Sequence, residues 1–199
     1  PVVLVTDSSS KSQMAGLIYV SPSQMNLWIP AGTAPGPATV AFPVTGLPPG
    51  VETAALRSVP VNIQKVAPGL FSTNGRGAGT AAATAVRVVL PTQVQNPVPV
   101  FQCDATATCI AVPIDLGVDT PVYLSLYGTG IRGASALSNV SVTIGTTKIQ
   151  PTYAGPETLI PGLDQVNVAL VLSLRGSGLV NVTVTVDGVP SNAVQINIQ

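Results

Sequence analysis

The sequence predicts an all-β protein, two Ig-like β-sandwich units joined by a β-rich connector, and three observations carry that prediction. The last stretch alternates strictly. Val180, Val182, Val184 and Val186 fall on one side, Asn181, Thr183 and Thr185 on the other, and Val194, Ile196 and Ile198 resume the pattern after the Asp187-Gly188 break. Successive strand side chains point to opposite faces, so this is an antiparallel pair with one dry and one wet face. Gly and Pro number 19 each, the punctuation of many tight turns rather than of long helices. The chain also repeats itself. Residues 24–29 (Gln-Met-Asn-Leu-Trp-Ile) match 165–170 (Gln-Val-Asn-Val-Ala-Leu), 36–42 match 178–184, 61–64 match 196–199, and the opening residues 1–6 resemble 140–144. Two copies of one β-unit explain this, and short strands separated by turn signals about every eight to twelve residues have the order of an Ig-like sandwich.

Taken in order, residues 1–6 are apolar and β-branched and read as a strand, followed by a polar turn at 7–13. Residues 17–20 and 24–30 are strands. In the second, Met25, Leu27 and Ile29 oppose Gln24, Asn26 and Trp28, which places Trp28 on the outer face. Strands at 38–44 and 58–64, around a Pro/Gly loop at 45–50, complete a first unit over residues 1–72. The connector, 73–115, holds a Gly-rich turn at 75–79, an Ala/Val-rich strand at 80–90 and a hairpin closed around Cys103 and Cys109. The second unit, 116–199, opens with a strand at 122–127, where Val122, Leu124 and Leu126 oppose Tyr123, Ser125 and Tyr127. A strand at 140–144, a loop at 155–163 and the terminal strands follow. The first unit begins at the counterpart of residue 140, so its opening strands are expected from an upstream part of the polypeptide, from the 80–90 strand or from another copy. Pro1 is not expected to be a native start, so the chain reads as a mature product or an excised piece.

Composition narrows the function. Apolar residues make up 46%, enough for real cores, but only 8% are charged, against about 25% in an average domain, and the net charge is zero. Nucleic acid and anionic membranes therefore have no electrostatic basis as partners, and no apolar run approaches the roughly 20 residues of a membrane span. There is no histidine, which removes the Ser-His-Asp and Cys-His nucleophile systems and the commonest transition-metal ligand. Cys103 and Cys109 are spaced to close a hairpin tip as a disulfide, worth about 2 kcal/mol of loop-closure entropy; two free thiols are the alternative.

Several motifs lack their context. Ser8-Ser-Ser-Lys11 fits Ser-x-x-Lys, but the partner motifs of penicillin-binding enzymes are missing and it reads as a turn. Gly128-Thr-Gly-Ile-Arg-Gly133 is a literal Gly-x-Gly-x-x-Gly, yet a strand rather than a helix follows, so no βαβ unit exists to bind a dinucleotide. Asn139-Val-Ser and Asn181-Val-Thr are sequons of a kind common in any Ser/Thr-rich chain. Asp104, Asp115, Asp119 and Glu157 lack the Asp-x-Asp-x-Asp spacing of a calcium loop and read as solvated carboxylates. No cofactor and no metal are expected.

Six stretches, Tyr19-Val-Ser-Pro-Ser-Gln-Met-Asn26, Val66-Ala-Pro-Gly-Leu-Phe71, Gly75-Arg-Gly-Ala-Gly-Thr80, Phe101-Gln-Cys-Asp-Ala-Thr-Ala-Thr-Cys109, Tyr127-Gly-Thr-Gly-Ile-Arg-Gly133 and Gly162-Leu-Asp-Gln-Val-Asn167, are spread along most of the chain. In that order they resemble the Solibacter-type C-terminal domain, a family of secreted acidobacterial proteins, and the second unit also resembles an IPT/TIG-type Ig-like domain. The resemblance implies export, a place at the end of a longer secreted polypeptide, and no catalytic residues.

The function class that follows is a non-catalytic extracellular module, structural or adhesive, self-assembling through β-strand addition as a filament or surface-layer subunit. Its partners are then other copies of the chain or another surface protein. The rival is carbohydrate recognition, with Trp28, Tyr123, Tyr127 and Tyr153 as the contact residues and a polysaccharide as partner, since an aromatic face is a good apolar platform. A glycosidase needs only two carboxylates, but none of the eight acids has a recognisable context.

Overall fold

The computed structural model describes residues 2–43 and 56–199. The expected Pro/Gly loop at 45–50 lies outside them. The chain forms two compact units, residues 1–65 and 66–199, and among the described residues of both the regular structure is almost wholly β-strand. The residues read from sequence as a separate connector belong to the second unit.

In the first unit, β1 (Leu4–Thr6), β2 (Ser12–Met14), β5 (Gly36–Pro43) and β6 (Leu56–Ile63) form an antiparallel sheet in the order β2-β1-β5-β6, and β3 (Gly16–Val20) pairs with β4 (Met25–Trp28) as a hairpin. The β2 strand occupies what reads from sequence as the end of a polar turn, because its Ser12 and Gln13 pair with Thr6 and Val5 of β1. Val3, Val5 and Ala38 are the buried apolar residues among those described in this unit.

The second unit comprises β7 (Gly69–Leu70), β8 (Ala83–Val89), β9 (Val94–Val98), β10 (Phe101–Cys103), β11 (Cys109–Ala111), β12 (Pro113–Ile114), β13 (Val122–Thr129), β14 (Val140–Ile144), β15 (Thr147–Ile149), β16 (Tyr153–Pro156), β17 (Asp164–Leu170), β18 (Gly178–Val186), β19 (Val189–Pro190) and β20 (Val194–Ile198). One sheet runs β12-β20-β18-β14-β15 and the other β16-β17-β13-β8-β9. Each central strand alternates between buried and partly exposed positions, and one core takes Leu124, Leu126, Val166 and Val168 from the second sheet and Val142, Val184, Ile196 and Ile198 from the first. Two sheets closing on a shared core make a sandwich. The orders β8-β13-β17-β16 and β14-β18-β20 correspond to strands A-B-E-D and C-F-G of an immunoglobulin-type sandwich. The 80–90 strand is thus held between β13 and β9, with Ala83 and Ala85 opposite Leu126 and Leu124 of the core. It is not a source of strands for the first unit.

The internal repeat is carried through to register. The first sheet's order β2-β1-β5-β6 parallels β15-β14-β18-β20. Gly36 pairs with Ile63 as Gly178 pairs with Ile198, Ala38 with Val61 as Val180 with Ile196, and Val5 with Val40 as Ile144 with Val182. The hairpin β3–β4 stands as β16–β17. Counterparts of β8, β12 and β13 are not found among the described residues of the first unit.

Two side chains, one buried and one partly buried, organise the second unit's loops. Asp164 is fully buried. It accepts hydrogen bonds from the backbone N–H groups of Ile131 (2.7 Å) and Arg132 (3.1 Å) and from Arg132 Nε (2.6 Å), and so shapes the 128–133 turn. Asn192 accepts from Leu70 N–H (2.7 Å) and donates to the carbonyls of Leu70 (2.9 Å) and Gly77 (2.5 Å), holding residues 69–77 against the β19–β20 turn.

Candidate functional site

The sequence puts forward four aromatic residues and one cysteine pair. The cysteines lie opposite each other in the β10–β11 hairpin and are disulfide-bonded, with Cα atoms 4.0 Å apart. Between them Asp104 Oδ1 accepts from Thr106 N–H (2.8 Å), Thr106 Oγ1 (2.7 Å) and Thr108 N–H (3.0 Å). These bonds, the Thr106 hydroxyl foremost, hold its carboxyl below the usual carboxylate range. The pair serves the hairpin tip.

The tyrosines converge on one surface. Tyr123 and Tyr127 occupy outward positions of β13, and Tyr153 is outward on β16, two strands away. The rows of the sheet follow from its register. Tyr123 lies between Val86 and Ala169, Ser125 between Thr84 and Asn167, Asn167 between Ser125 and Tyr153, and Gln165 between Tyr127 and Gly155. No charged residue takes an outward position on β8, β13, β16 or β17.

Local bonds position this face. The Tyr127 and Thr84 hydroxyls are 3.1 Å apart, and the Tyr153 hydroxyl donates to the Pro156 carbonyl at 2.6 Å. Tyr153 folds back over Gly155, where a Cβ would come within 3.0 Å of its hydroxyl. Gln165 Nε2 donates to Asn167 Oδ1 at 2.7 Å. Among the described residues this leaves the Asn167 amide NH2 and the Gln165 carbonyl without a protein partner. One donor and one acceptor thus stand beside a tyrosine ring, the complement of a hydroxyl group.

Trp28 belongs to the first unit. It is cross-strand partner to Gly16, and its ring covers that glycine so closely that a Cβ there would fall 1.8 Å from it. Half-buried, it shares its face with Asn26 and Gln24 as expected. Sequence reasoning missed Tyr19, which is 51% exposed and pairs directly with Asn26 on that same face. The signal is present in the chain as Tyr19-Val-Ser-Pro22 against Tyr153-Ala-Gly-Pro156.

The acids fall elsewhere. Asp115 accepts from Gly117 N–H (2.8 Å) and lies 3.7 Å from Arg87, Glu157 accepts from the N–H groups of Leu159 (2.8 Å) and Ile160 (2.7 Å), and Asp119 is exposed. Asp115 and Glu157, like Asp104, close turns of their own. A shallow cleft of about 500 Å3 on the other sheet is lined by Ser138, Ser141, Thr185, Lys148 and Asp187 among others, and no aromatic residue lines it. Among the described residues, no helix is long and apolar enough to cross a membrane. No protein-family model, curated protein or solved structure matches this chain.

Proposed function

We propose that the protein is a non-catalytic extracellular adhesive module that holds neutral polysaccharide on the tyrosine-bearing face. The observation that carries this reading is the convergence of Tyr123, Tyr127 and Tyr153, with Asn167, Gln165, Ser125 and Thr84, on a sheet face without charge. Tyrosine rings offer flat apolar area to the faces of sugar rings, and amides and hydroxyls match sugar hydroxyls as both donors and acceptors. A face without charge has no field to draw a charged polymer. The disulfide supports an oxidising exterior. The test is retention on insoluble cellulose and chitin. The wild-type chain is expected to be retained and the Tyr123→Ala/Tyr127→Ala double variant to bind about tenfold or more weakly, a loss of about 1.4 kcal/mol or more, with far-UV circular dichroism and cooperative urea unfolding showing an intact fold. Equal retention of folded variant and wild type, or passage of the wild type through both matrices, ends the reading.

Self-assembly by strand addition is a second reading. Val194 is fully buried, but its counterpart Val59 is 47% exposed, on the sheet whose partner hairpin has, among the described residues, no neighbour equivalent to β13. An added strand from a second copy would cover this apolar ground.

A further inference from the structure

We propose that the chain carries two equivalent ligand subsites, one in each unit, and that its ligand is therefore a polymer of repeating neutral sugar units. The inference rests on reading the tyrosine face as polysaccharide-binding, and extends it to residues 19–28. Tyr153, Asn167 and Gln165 form the subsite of the second unit, and Tyr19, Asn26 and Gln24 that of the first.

The correspondence goes beyond sequence. Tyr19 is the cross-strand partner of Asn26 as Tyr153 is of Asn167, and directly opposed residues share a face. Gln24 Nε2 donates to Asn26 Oδ1 at 2.7 Å, the same bond at the same length as Gln165 to Asn167. In both copies that bond occupies one amide oxygen and one amide nitrogen. The Asn NH2 and the Gln carbonyl are left unpartnered among the described residues, beside a tyrosine 51% exposed in one unit and 38% in the other. Gln24 and Asn26 are exposed, and the free groups of the half-buried Gln165 and Asn167 are not buried, unsatisfied atoms, so both pairs are open to a ligand. The surroundings differ in a way that favours binding at the first copy: Trp28 stands where the second unit has Ala169, a larger apolar platform on the same face. A fold alone does not require this set, since the neighbouring outward positions have diverged to Trp28 against Ala169 and to Ser21 against Gly155. Two copies of one recognition surface on one chain suit a repeating ligand, because the second contact becomes intramolecular once the first is made.

The experiment is a two-dimensional amide and indole NMR titration of the full chain with cellohexaose and, separately, chitohexaose. Saturable shifts are expected at both faces, residues 19–28 with the Trp28 indole N–H and residues 123–127 with 153–167. Tyr19→Ala should abolish the first set and leave the second, Tyr153→Ala should do the reverse, and Tyr19→Phe, which keeps the ring, should retain both. Shifts confined to the second unit overturn the duplicate subsite and leave the tyrosine face standing. Shifts at neither face with either sugar overturn both. First-unit shifts that survive in a folded Tyr19→Ala variant also overturn the proposal.

Discussion

Asp7 shows what one carboxylate does in the first unit. It is almost fully buried. Oδ1 accepts from Ser9 N–H (2.9 Å), the Ser9 hydroxyl (2.7 Å) and Lys11 N–H (3.1 Å), while Oδ2 reaches across 27 residues to Ala34 N–H (2.9 Å). The Ala34 N–H foremost, then the Ser9 hydroxyl, lower its pKa from 3.8 to about 2, against the opposing effect of desolvation. A depressed folded-state pKa means the contribution is complete above the unfolded value and is lost as pH falls through the folded one. The first unit is therefore expected to hold its stability down to about pH 4 and to lose part of it between about pH 4 and 2. Asp7→Asn should flatten that window. Carboxyl-detected NMR gives the midpoint directly, and a value near 3.8 would show that these bonds do not hold in solution. Nothing in residues 7–11 alone points to Ala34; only the folded chain brings that donor to Asp7.

At the scale of elements, the Gly128–Gly133 motif has a role unrelated to phosphate. Gly128 pairs with Leu70, and Ala67 N–H donates to the Gly130 carbonyl at 3.0 Å, so the segment around β7 lies directly on these glycines. A Cβ at Gly128 would sit 2.3 Å from the Gly69 carbonyl oxygen. At Gly130, with φ of +71°, it would sit 2.0 Å from that of Ala67. The glycines are there for backbone approach. Gly130→Ala is expected to cost about 2–4 kcal/mol, the sum of a strained conformation and a backbone clash. Gly176→Ala is the control. It has φ of +76° but nothing within 4 Å, and should cost only about 1 kcal/mol. Urea unfolding of both variants measures the difference, with hydrogen exchange at residues 66–70 reporting the local release; equal costs would place β7 off these glycines.

Over the whole molecule, the two units share one strand plan but not one degree of closure. The second buries both faces of its core between sheets, while in the first Val59 is open where Val194 is sealed. Exposed β-edges and apolar strand residues invite pairing with another chain. Light scattering over a concentration series should show mass rising with concentration, and amides 25–28 should become protected from exchange as it does. A strict monomer with freely exchanging amides at 25–28 would exclude strand addition by a second copy.

The sequence by itself determined the all-β class, the strands of the terminal alternation, the repeat and even its register. A two-residue period with one buried face leaves no freedom to slip: moving Val182 by one residue would turn Val180, Val184 and Val186 to solvent as well. Short strands such as β2, β15 and β16 are too brief for a period to show, and exist because a neighbour supplies their hydrogen bonds. Ala83 and Ala85 carry little apolar signal, so the assignment of 80–90 to the second sheet had to await Leu124 and Leu126 opposite them. Trp28 was visible as an outward aromatic and Tyr19 was not, because the bulge between Leu17 and Tyr19 breaks the alternation that would have exposed it. Tertiary structure alone decided that Tyr153 joins Tyr123 and Tyr127 on one face. Alternation tells each side chain which side of its own strand it takes, but only strand pairing decides whose neighbour it becomes.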